Sequence, residues 1–133
     1  MKTKFQKVVQ LIVVAGITTT ANIALGADHK FTNRSAIVAL DSGWAADVIN
    51  IRLLDDSLAN VYANPAGCAF PEAGYVTSPT DPGRKLYQDQ LQEAFWRNYK
   101  IRLLISGKPG DCPFGKPRII SVSMCRPSPL GQC

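Results

Sequence analysis

One helix-forming stretch, set between strand-like runs, constrains this chain more than any other feature. In "SPTDPGRKLYQDQLQEAFWRNY", Tyr87, Leu91, Ala94 and Phe95 fall at i, i+4, i+7 and i+8. That spacing lays a single apolar stripe along a helix. Gln88, Asp89, Gln92 and Glu93 mark the wet side, and Trp96 lies off the stripe. Asp81 is placed to cap the free amides, and Pro82 suits the first helical position. Three strand-like runs precede the helix. "RSAIVAL" is β-branched and apolar, "DSGW" supplies turn chemistry, and "DVINIRLL" alternates. Ile49, Ile51 and Leu53 share one face of that run, with Val48, Asn50 and Arg52 on the other, so the pair reads as a hairpin. "DDSLANVYANPAGCAFPEAG" reads as connection, with turn signals at Asn64-Pro65 and Ala66-Gly67, and "GYVTS" as a short third strand. After the helix, "KIRLLISG" places Ile101, Leu103 and Ile105 on one face. The turn-rich "GKPGDCPFGKP" follows, and "RIISVSMC" then puts Ile120, Val122 and Met124 on one face.

The order is strand, strand, strand, helix, strand, strand. It makes the fold mainly β with one helix. A five-stranded, partly open OB-fold-like barrel has this order, and a generic sheet covered by one helix fits the same string.

The N-terminus carries a different kind of signal. Lys2, Lys4 and Lys7 form a basic start, Val8 to Ile17 is a short apolar run, and Ala24 and Gly26 put small residues before a cleavage point at Ala27. This is the pattern of a secretory signal peptide over residues 1–26, and the run is too short for a bilayer-spanning anchor. Removing 26 of 133 residues leaves 107, enough for one domain over 27–133. Three of the fifteen Lys/Arg leave with the signal and no Asp or Glu does, so 12 oppose 10 and the excess falls to +2. A general nucleic-acid-binding role loses its electrostatic support. Export, to the periplasm or beyond the cell, is the expected fate.

All four cysteines, Cys68, Cys112, Cys125 and Cys133, lie in that exported part. An even count in a small secreted chain reads as disulfides. Zinc fits poorly, because there is no C-x2-C and His29 is the one histidine. Three connectivities are possible, and we favour Cys68–Cys112 with Cys125–Cys133. On the chain-entropy view the long loop contributes about 4 kcal/mol and the short one about 2.5 kcal/mol.

"NPAGCAF", "GYVTS", "KLYQDQLQEAFWRNYKIRLLISG", a second cysteine and "KPRIISVSMC" together resemble the B-subunit family of subtilase-type and pertussis-like AB5 toxins and their small exported relatives. The resemblance runs from about Ser35 to Cys125, and "MCRPSPLGQC" is similar to the short C-terminal disulfide loop of the toxin members. It implies an OB-fold assembled as a ring, usually a pentamer. The ring would bind glycans on a cell surface, in the toxins as partner of an enzymatic A subunit. Ser35 falls where the toxin members contact sialic acid with a serine. Phe31 or a polar neighbour stands where they carry an acidic residue, and Ile105 where they carry an aromatic one. The resemblance thus implies a glycan without specifying sialic acid.

The residues offer little for catalysis and no cofactor motif. His29 sits near the processed terminus, Asp55-Asp56 reads as a solvated turn, and no phosphate loop is present. Recognition has more to work with. Trp44 at the hairpin tip is placed for stacking on a sugar, as an alternative to folding back over the barrel mouth. Trp96 and Tyr99 end the helix, either packed on the sheet or meeting a neighbouring subunit. Arg52, Arg102 and Arg118 lie mid-strand, either as a solvated face or as a basic stripe for an anionic ligand. Ser35, Trp44 and Arg102 are therefore the expected ligand-binding residues. The expectation is a non-catalytic, oligomeric, glycan-binding secreted protein. The alternative is a stand-alone exported interaction or envelope accessory protein with no sugar site.

Overall fold

The computed structural model describes residues 28–43 and 46–125. The expected signal peptide, Trp44 and the expected Cys125–Cys133 pairing lie outside the described residues. The elements are β1 (Lys30–Phe31), β2 (Ile37–Ser42), β3 (Ile49–Leu53), α1 (Leu54–Ala59), β4 (Tyr75–Val76), α2 (Arg84–Arg97), β5 (Lys100–Ile105) and β6 (Ile119–Cys125). They form two antiparallel three-stranded sheets, ordered β1-β5-β6 and β2-β3-β4. Two isolated bridges join the sheets: Ser35 pairs antiparallel with Ile101, and Val76 pairs parallel with Arg118. The protein is thus mainly β with one main helix. Among the described residues no helix is long and apolar enough to cross a membrane.

The core follows the expected alternation. Ile49, Ile51 and Leu53 of β3 meet Ile101, Leu103 and Ile105 of β5, all at most 2% exposed. Leu91 and Ala94 of α2 close over them, with Tyr87 and Phe95 packed at the margin. Each fully buried Ile or Leu contributes about 2 kcal/mol. α2 packs on β2 and β6 and ends at Asn98, whose N–H meets the carbonyls of Ala94 and Phe95 and whose left-handed backbone (φ 53°) turns the Tyr99 amide onto Ala94 at 2.9 Å.

Three features depart from the sequence reading. First, α1 occupies part of the expected connection, and the two-residue β1 precedes the five expected strands. α1 has no cap from its own flank; instead the Ala36 carbonyl accepts from the Leu54 amide (2.9 Å) and the Ser35 hydroxyl from the Asp55 amide (2.8 Å). Second, α2 begins at Arg84, with Gly83 as its N-cap residue. Asp81 does not cap it; its carboxylate accepts from the Ser78 amide (2.7 Å) and pairs with Arg118. Third, the alternation of β6 is broken. Leu104 pairs with Ser121 but Ile105 with Ile119, so Ile120 is a bulge. The buried residues become Ile119 and Val122, while Met124 is 40% exposed. Tyr87 donates to the Ile120 carbonyl at 2.8 Å. Val38 is the extra residue at the corresponding irregularity in β2.

Cys68 and Cys112 are bonded, as expected, across a sequence separation of 44. Around them two loops are stitched together. Asn64 clamps Cys68 by accepting from its amide (2.7 Å) and donating to its carbonyl (2.9 Å). The Gly110 amide donates to Ala66 and the Phe70 amide to Gly115. Arg118 extends the stitching with a fork onto both Asp111 oxygens (3.1 Å each) and a bond to Asp81.

Candidate functional site

The stretch before β2 runs along the edge of β5, and the α1–β4 connection faces it. Between them lies a cleft of about 150 Å³, with Lys30, Phe31 and Asn33 on one wall and Val61 and Tyr62 on the other. Asp56 also lines it and is itself only 3% exposed. β1 holds its wall because Phe31 pairs with Leu104. The Thr32 hydroxyl fastens the next residue by accepting from the Leu103 amide at 3.0 Å.

Asp56 is held from below. The Tyr75 hydroxyl, fully buried, donates to the Asp56 carboxylate at 2.5 Å and accepts from the Ala63 amide at 3.0 Å. Burial raises the Asp56 carboxyl above its ordinary range, with a smaller push from neighbouring Asp55; the Tyr75 hydrogen bond opposes both. Burial also raises Tyr75, reinforced by its bond to Asp56, so the phenol stays a donor. The pair braces α1 against β4 and presents a recessed, partly desolvated carboxyl to the cleft.

Beside this cleft the Arg102 guanidinium lies over the Phe31 ring, 4.1 Å from its centroid. Arg102 makes no ion pair among the described residues, and its buried Nε has no hydrogen-bond partner there. In register, Arg102 faces Ser123 of β6. The arrangement is a cation pre-oriented on an aromatic face with no carboxylate opposite it. A planar guanidinium in that state accepts an anionic or hydroxyl-rich ligand by parallel N–H···O bonds.

The expected arginine stripe does not form as one surface. Arg118 is committed to Asp81 and Asp111, and Arg52 is exposed on β3 in the other sheet. Burial alone would raise Asp111, but hydrogen bonds from Ser106 and Arg118 bring its carboxyl below the ordinary range. Ser35 sits beneath the cleft region with 0% exposure, its hydroxyl occupied by the Asp55 amide. It cannot touch a ligand in this arrangement; it holds α1, which carries Asp56. His29 accepts from the Gly107 amide through Nδ1 at 3.0 Å, a structural use of the one histidine. The sequence reading takes Asp56 with Asp55 as a solvated turn, where the structure buries it; it takes Phe31 only as a departure from the toxin pattern, and Tyr75 was not singled out. Phe31 could have been suspected as an apolar residue flanked by Lys30 and Thr32, whereas the Asp56–Tyr75 pair spans 19 residues and leaves no local signal. Among the described residues no group of His, Cys, Asp or Glu side chains could hold a metal ion. No family model matches this chain, and neither a curated protein nor a solved structure is significantly similar to it.

Proposed function

We propose that this protein is exported and acts, without catalysis, as a glycan-binding subunit of the AB5 B-subunit type. The observation that carries the reading is the Arg102 guanidinium, without an ion pair among the described residues, stacked on Phe31, which lines the Asp56 cleft. The cleft supplies an aromatic surface and recessed polar groups in one small concavity, and Arg102 adds a fixed cation on the Phe31 ring beside it, the mixture that sugar recognition uses. The two bridges support an OB-fold-like barrel, because they join β4 to the residue before β6 and the chain before β2 to β5. On this reading the strand order is β2-β3-β4-β6-β5. The loop–loop disulfide suits an oxidising compartment. Ring assembly follows from the family resemblance and has a physical motive: one shallow site binds weakly, and several identical sites raise the effective concentration. An enzymatic partner belongs to the same reading.

The test is glycan-array binding by the purified oxidised protein, alongside Arg102→Ala and light-scattering mass. We expect binding to glycans bearing a carboxylate, lost in Arg102→Ala, and a mass of several subunits. A monomer that binds no glycan overturns the reading in favour of an exported interaction protein without a sugar site. Binding that survives Arg102→Ala unchanged removes this cleft from it.

A further inference from the structure

A second concavity lies away from Arg102, between α2 and the β2–β3 hairpin. It measures about 190 Å³. Leu40 and Ile49 contribute strand side chains to it, and Ser42, paired in register with Ile49, contributes a hydroxyl. From the helix come Gln88 and Gln92, one turn apart, followed by Phe95 and Trp96 one turn further on. These four project from one side of α2 because their spacing is that of successive helical turns.

Trp96 is 81% exposed, on a helix whose adjoining stripe is packed into the core. Its ring meets Phe95 edge-on, with centroids 5.5 Å apart and planes at 72°. That contact steadies the indole while leaving a face uncovered. The Gln88 and Gln92 amides make no side-chain hydrogen bond among the described residues, so their donors and acceptors remain available. Among the described residues no charged side chain lines the groove.

From this combination we infer that the groove is a second saccharide site, specific for a neutral hexose. A pyranose ring presents a C–H face, which stacks on an indole, and vicinal hydroxyls at its rim, each both donor and acceptor. Two carboxamides one helical turn apart, with a serine hydroxyl across from them, match that rim. An acidic sugar finds no counter-charge here and would lose its hydration uncompensated. The inference does not depend on the Arg102 cleft: the two sites share no residue and select opposite ligand charge.

The experiment is a titration of the purified protein with methyl α-glucoside, methyl α-galactoside and methyl α-mannoside, followed by 1H–15N NMR and tryptophan fluorescence. Single-ring sites bind in the range of about 1–10 mM. We expect at least one glycoside to shift the Trp96 indole and the Gln88 and Gln92 carboxamide resonances. Trp96→Ala and Gln92→Ala should each weaken that binding about tenfold, Trp96→Phe should weaken it less, and Arg102→Ala should leave it unchanged. Fold retention in each variant is read from its backbone spectrum. If none of the three glycosides shifts those resonances in the wild-type protein, the inference fails. It also fails if Trp96→Ala converts an oligomer to a monomer without altering sugar binding, since the groove is then a subunit contact. Loss of carboxylated-glycan binding in Arg102→Ala with hexose binding intact separates the fate of this site from that of the cleft.

Discussion

Arg118 and Arg102 stand at opposite ends of the same idea. Both are single cations on the sheet β1-β5-β6 or its approach, and both lie near loops. Arg118 has both terminal nitrogens on carboxylates, Nη1 on the two Asp111 oxygens and Nη2 on Asp81, with only its Nε left without a partner among the described residues, and the Cys68–Cys112 bond fixes the loop that carries Asp111. Arg102 is held only by an aromatic face and answers to no carboxylate among the described residues. The stitched end shows how this protein satisfies an arginine when the purpose is stability. The open end, built from the same residue type, departs from that pattern, and this contrast is why Arg102 reads as a ligand group.

The contrast can be broken from its stable side first. Cys68→Ala/Cys112→Ala should cost about 4 kcal/mol, the entropy of a loop of this length, measured by urea unfolding. A loss well under half of that would mean that Arg118, Asn64 and the loop hydrogen bonds hold the end without the covalent link. Next in size is Tyr75→Phe, which strands the buried Asp56 carboxyl and the Ala63 amide and should cost about 2–3 kcal/mol. Smaller again, Arg118→Met should cost about 1–2 kcal/mol, given that its side chain is partly exposed. Arg102→Met should move stability by less than about 0.5 kcal/mol. Equal costs for the two arginines would erase the distinction between them.

Acidity sharpens the same comparison, because the two ends titrate with opposite sign. Asp111 has a depressed pKa in the folded protein. Its stabilising contribution is therefore complete above the unfolded carboxylate value of about 4 and is lost as pH falls through the folded one. Asp56 is raised. Its contribution is present below about 4 and is lost as pH climbs through its folded value. Asp111→Asn should flatten the acid side of a melting-temperature profile, and Asp56→Asn, which keeps an acceptor for Tyr75, should raise the near-neutral side. An unchanged profile in both variants would refute the assignment.

Much of the scaffold was readable because its signals are local. The Tyr87-Leu91-Ala94-Phe95 stripe is one helix wide, the β3 alternation needs no partner, and the Cys68–Cys112 pair closes as anticipated. What escaped depends on distant atoms. α1 carries no cap of its own; its first amides are met by Ser35 and Ala36, some twenty residues upstream, so "DDSLAN" looks like loop. Ser35 drew attention as a ligand contact and turns out to be that cap. Asp81 has the chemistry to cap α2, but Ser78 and Arg118 claim it first. The phase of β6 fails at Ile120, because a bulge adds a residue without leaving a mark in composition. The cleft was half visible: Arg102 stood out by type, whereas Phe31 and Asp56 acquire meaning only when β1 and α1 meet.

That bulge has a mechanical corollary. By turning the Ile120 carbonyl toward Tyr87, it gives α2 a detent on the strand, as a notch fixes a sliding bolt. Sliding or turning the helix by one residue would break that bond, at a cost of about 1 kcal/mol.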